Sequence, residues 1–151
     1  MNTITLIRSL RDAVLNDREI NAWCDDYYGR KIKVLIGLDE RNPPGQDDYP
    51  LVHLFPNTKT TGLAVEAKQY ALGVTVGLYD ESPAEDGEMP QLALLEELKD
   101  KVQQKILAAL PSMICQRIDC TYETEGIYPY FLVISEFALE QPTEFREDPY
   151  D

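Results

Sequence analysis

Between residues 2 and 15 the apolar positions fall at three- and four-residue steps. Ile4, Ile7, Leu10 and Val14 share one side, with Arg8, Arg11 and Asp12 on the other, and this period predicts an amphipathic helix. Asn2 or Thr3 is its candidate cap. Asn16-Asp17 interrupts the pattern, Asp17 caps a short further turn over 19–23, and Gly29 is a plausible stop. The period then switches. Over 31–38 (KIKVLIGL), Ile32, Val34, Ile36 and Leu38 alternate with Lys31, Lys33, Leu35 and Gly37, which predicts a strand. The loop 39–49 comes next, rich in Pro, Gly and Asp, and its length points to mobility or partner contact.

The stretch 51–55 (LVHLF) is apolar on both faces and reads as a strand covered on two sides; 57–68 is polar and reads as a loop with Thr60, Thr61 and Gly62 at its tip. Over 69–79, Tyr70, Leu72, Val74, Val76 and Leu78 make one large apolar face, while Ala71, Gly73, Thr75 and Gly77 leave the other nearly bare. Two glycines on one strand face cost stability; either twist or a bulge, or close approach by another element or subunit, accounts for them. An acidic loop at 80–90 precedes the longest predicted helix, 91–110, with a stripe of Leu92, Leu95, Leu98, Val102, Ile106 and Leu110, which Pro111 ends. Strands are predicted at 114–123 and 130–139, the latter apolar on both faces.

The predicted order is α-β-β-β-α-β-β. It implies an α+β fold: a mixed or mainly antiparallel sheet of about four to five strands, begun as a three-stranded meander, with the N-terminal and long helices on one face. Residues 1–151 read as a single domain, with about 141–151 a flexible acidic tail. Strands 51–55 and 130–139 carry more apolar surface than one helical layer covers, so self-association is expected to cover the rest. Ala71, Gly73, Thr75, Gly77, His53, Tyr128 and Tyr130 are the candidate interface residues, and bulk or charge at Gly73 or Gly77 is expected to impair assembly more than folding.

Charge narrows the partner classes. With 14 Lys+Arg against 27 Asp+Glu, the net charge is −13, which opposes nonspecific phosphate binding. The acids gather at 25–26, 39–40, 47–48, 80–88 and 140–151, mostly in predicted loops. No run reaches the ~18 apolar residues of a membrane span. Cys24, Cys115 and Cys120 form no C-x-x-C pair; the five-residue offset of the last two places them on opposite faces of a strand, and three unpatterned thiols suit a reducing cytoplasm. His53 is the single histidine, so no His-rich metal site is available. No nucleophile elbow, phosphate loop, dinucleotide fingerprint or zinc-protease motif is present, and the acids of 80–88 lack calcium-loop spacing. The expectation is a non-enzyme with no catalytic residue, metal or cofactor.

Four features in order carry a family likeness: an amphipathic helix (TITLIRSLRDAVL), a Pro/Gly loop ending in a Tyr-Pro strand (PPGQDDYPLVHLF), a long strand (QYALGVTVGLY), and an acidic loop before a helix (LALLEELKDKVQQKILAAL). In this order of elements the chain resembles the phage and prophage tail terminator, or tail-completion, family. The resemblance implies a structural virion protein forming a ring, commonly a hexamer, that caps the tail tube and joins it to the head connector. Its implied partners are copies of itself, tube and connector proteins, with no sequence-specific nucleic-acid binding and no membrane. It implies residence in the cytoplasm during assembly and in the virion tail afterwards. Acids facing a channel would repel passing DNA. Two other classes stand beside it: an acidic DNA mimic, which requires carboxylates in regular rows, and a small hydrolase, which requires an acid converging on His53.

Overall fold

Local capping starts each of the first two helices. A computed structural model describes residues 2–61 and 67–142; in it the Asn2 side chain accepts from the Thr5 N–H at 2.8 Å and opens α1 (Thr3–Leu15). Asp17 accepts from the Ile20 N–H at 2.9 Å and opens α2 (Arg18–Tyr28), which Gly29 closes in the left-handed conformation at φ 69°. This second helix is longer than the short turn expected at 19–23, because Trp23, Cys24 and Ile20 bury one side of it. The long helix α3 (Pro90–Ala109) carries proline at its first position, where no backbone N–H is needed.

The strands are β1 (Lys33–Ile36), β2 (Leu51–Thr60), β3 (Ala67–Tyr79), β4 (Ile114–Glu123) and β5 (Tyr130–Pro142). They form one five-stranded sheet in the order β1-β2-β3-β5-β4. The fold is α+β with a mixed sheet, as expected. One pairing differs from the expected meander: β1 runs parallel to β2, with Val34 opposite Val52, and the other neighbours are antiparallel. The 39–49 loop is long because it carries the chain back for that parallel pairing. Within it Gln46–Asp48 forms a 3-10 turn, whose Asp48 carboxylate accepts from the Gly45 N–H.

Two loops expected from polar composition contain strand. Residues 57–60 continue β2 past a register shift at Pro56/Thr58, so Thr58 lies opposite Ala71 and Thr60 opposite Gln69. Gln141 and Pro142, placed in the acidic tail by composition, continue β5 against Lys68 and Ala67. Gly62 and residues 143–151 lie outside the described residues.

Alternation along the strands decides where the core sits. Val52 and Leu54, Leu72, Val74, Val76 and Leu78, and Phe131, Val133 and Phe137 all face the helices and are buried with Leu6, Ile7, Leu10, Leu95, Leu98 and Ile106. A bulge at Gln116 in β4 switches the face on which the later residues of that strand lie. Cys115 and Cys120 therefore both turn toward the core, opposite Leu139 and Ser135, and not to opposite faces as their spacing suggested. All three cysteines are free. Among the described residues, no helix is long and apolar enough to cross a membrane.

Candidate docking face

Among the described residues, helices α1, α2 and α3 pack on one side of the sheet, and the register fixes what the other side presents. One row across it reads Leu35, His53, Thr75, Ile134 and Thr121. The row on one side reads Lys33, Leu51, Gly77, Leu132 and Glu123; on the other side it reads Phe55, Gly73, Glu136 and Asp119. The middle of this face is apolar, and its β4 margin carries Asp119 and Glu123 together with Arg117, which pairs with Asp119 at 2.8 Å. A concavity of about 300 Å³ opens on the apolar part, floored by His53, Thr75 and Ile134 and bounded by Leu38 and by Pro44 and Tyr49 of the 39–49 loop. Leu38 is 47% exposed there. Among the described residues, no helix covers this groove.

The bare side of β3 is filled by the chain's own rings. A Cβ on Gly73 would lie 2.2 Å from Phe55 Cε2, and one on Gly77 would lie 2.7 Å from Tyr49 Cε1 and 2.8 Å from Leu132 Cδ2. The glycines thus admit an aromatic side chain from β2 and another from the 39–49 loop. Of the two explanations open from the pattern, close approach by another element holds, and that element is intramolecular. Ala71 and Thr75 lie on the same strand face, half-buried.

His53 stands directly opposite Thr75 and stacks on Phe55 with ring centroids 4.7 Å apart. Its Nε2 is buried and has no hydrogen-bond partner, and burial holds its proton affinity below the ordinary histidine value. Among the described residues, no carboxylate lines the groove beside it. Among the described residues, no group of three or more His, Cys, Asp and Glu is placed to hold a metal ion. The groove therefore presents apolar surface around one buried nitrogen without a hydrogen-bond partner.

Tyrosines close one end of the sheet. Tyr130 packs edge-on against both Tyr49 and Tyr79, each at 5.2 Å between centroids. Tyr128 lies apart from the groove, 56% exposed in the turn before β5, where its hydroxyl donates to the Glu81 carbonyl at 2.7 Å. The structure thus brings His53, Thr75, Gly73 and Gly77 together, sets Tyr130 at their end, and leaves Tyr128 outside. Phe55, Tyr49, Leu132 and Ile134 are the residues that sequence reasoning did not single out. The alternation Leu51, His53, Phe55 carried a signal for the first. Tyr49, arriving from a loop, carried none.

No family model matches the sequence, and no curated protein is significantly similar to it.

Proposed function

We propose that this chain is a structural assembly protein of the tail-terminator kind, forming a ring in which a neighbouring copy covers the open sheet face. The carrying observation is that face: an apolar groove on the side of the sheet against which, among the described residues, no helix packs, with a buried imidazole nitrogen that has no hydrogen-bond partner. Apolar surface collected in one place, rather than scattered, marks an interaction site. The resemblance in element order supplies the kind of assembly, a tube-capping ring joined to a connector. The net charge of −13 suits a wall that DNA passes without adhering.

Light scattering on purified protein tests this reading. The expected mass is several times the 17.2 kDa of one chain. Leu38→Asp, on the exposed lip of the groove, is expected to lower that mass while the melting temperature stays within about 2 °C of the parent, since exposed substitutions change stability little. A parent protein that stays monomeric at high concentration overturns the proposal.

A further inference from the structure

The last strand of the sheet, β4, pairs on one side only, with β5. Its outer edge is a row of backbone donors and acceptors that no strand among the described residues takes up. The bulge at Gln116 interrupts that edge. Beyond it Arg117 to Glu123 pair with β5 without a break, seven residues free of proline and glycine. Arg117, Asp119, Thr121 and Glu123 lie on the open face of the sheet. Ile118 and Cys120 lie on the helix face with Tyr122, which is 47% exposed and donates its hydroxyl to Glu96 of α3. Arg117 donates to Asp119 through Nε, which leaves a guanidinium N–H groups for a second acceptor. Among the described residues, no ion pair reaches Glu123.

We propose that this edge pairs antiparallel with the same edge of a second copy, about a twofold axis at Cys120. A twofold axis perpendicular to the sheet sets one residue opposite its own equivalent. Only a centre at Cys120 pairs all seven residues, because any other centre runs into the bulge or past the end of the strand. The same register matches the side chains. Arg117 meets Glu123 of the second copy, twice by symmetry, while Asp119 meets Thr121 and Ile118 meets Tyr122. The two Asp119 carboxylates stand diagonally across the axis, each paired with its own Arg117. Moving the centre to residue 119 sets Asp119 against Asp119, and moving it to residue 121 sets Asp119 against Glu123; like charges oppose both. The charges on this strand therefore admit one register and resist its neighbours. The occupant is another copy because the complementarity lies within a single stretch of sequence. The contact does not use the groove, so it holds whether or not the groove builds a ring.

The test uses Leu38→Asp protein, which separates this edge from the groove. Sedimentation is expected to show a dimer, twice the 17.2 kDa of one chain, even where the ring reading fails. Diamide, which takes up the two thiol hydrogens as a disulfide forms, is expected to trap that dimer through Cys120. Directly opposed residues bring their Cα atoms to roughly 4.5–5.5 Å, within disulfide reach. The Cys115 residues of the two copies would stand roughly 33 Å apart along the paired strands. Trapping should therefore vanish in Cys120→Ser and persist in Cys115→Ser. Glu123→Arg and Arg117→Glu, both exposed, are each expected to weaken the dimer about tenfold, and an equimolar mixture of the two to restore it. A monomeric Leu38→Asp protein overturns the proposal and leaves the edge to a different partner. So does trapping that depends on Cys115 rather than Cys120, or a mixture as weak as its components.

Discussion

A glycine whose missing side chain is replaced by a neighbour's ring is a packing position, and Gly73 is one. Phe55 lies across it closely enough that even a methyl group would overlap the ring. Gly73→Ala is therefore expected to destabilise the fold by about 1–3 kcal/mol, the usual cost of overfilling a packed site. Because the obstruction is the end of one side chain, Phe55→Ala combined with Gly73→Ala should recover part of that loss. Denaturant melts of the two single variants and the double variant measure the coupling, and strictly additive losses would show that the ring is not what Gly73 accommodates. Bulk or charge at Gly73 or Gly77 meets the chain's own rings first, so folding registers the change before any assembly does. The smaller Leu38 lip, exposed and outside the sheet, separates the two effects. The alternation of small residues along β3 was readable from the chain, whereas the identity of what fills the gap was not, because Phe55 and Tyr49 arrive through pairing and loop closure.

At the level of elements, the acidic loop between β3 and α3 is tied down by one buried amide. Gln91, in the first turn of α3, donates through Nε2 to the carbonyls of Asp80 at 3.1 Å and Ser82 at 2.8 Å. Asp80 in turn accepts from the Tyr28 hydroxyl and the Ser82 N–H, contacts that hold its carboxyl below the usual range despite the opposing effect of burial. Gln91→Leu strands those two carbonyls and is expected to cost about 1–3 kcal/mol. Hydrogen exchange at 80–88 should rise in that variant beyond what its global stability accounts for. If exchange rises only in step with global unfolding, Gln91 does not anchor the loop. The helices and the apolar centres of the strands were legible because burial imposes a period on them. Strand ends were not. Residues 57–60 and 141–142 pair through backbone groups beyond the edge of the core, where no apolar alternation is required. The parallel β1–β2 pairing and the bulge that turns Cys115 and Cys120 to one face are likewise backbone events. Two-residue periodicity counts residues and is blind to an inserted one.

For the whole molecule, the assembly proposed above would be tied to pH through His53. Its imidazole is half-buried among Leu51, Phe55, Thr75 and Ile134, and desolvation depresses its proton affinity below the ordinary 6.5. The other titratable side chain lining the groove is Tyr49, held neutral by burial; the nearest charged residues on the face are Lys33 and Glu136, one row to either side, the first paired with Asp48 and the second accepting from Asn57. In the proposed ring, a neighbouring copy laid over the groove would remove the remaining water and depress that affinity further. The folded, assembled state therefore binds fewer protons at His53 than the unfolded or dissociated chain. Its contribution is complete above about pH 6.5 and is lost as the pH falls below that value toward the depressed one. Carboxylates act in a separate window: Asp48 and Asp80, held low by their partners, give up their contributions only in more acid solution. Light scattering from about pH 7.5 to 5 at fixed ionic strength should thus show the oligomer dissociating, and His53→Leu should remove most of that dependence without removing the oligomer. Salt serves as the control. Copies carrying −13 each repel one another, so raising ionic strength should favour assembly at every pH while leaving the position of the His53 step nearly unchanged. An oligomer whose mass is flat across this range, or equally acid-sensitive without the imidazole, would place the contact between copies somewhere other than the groove.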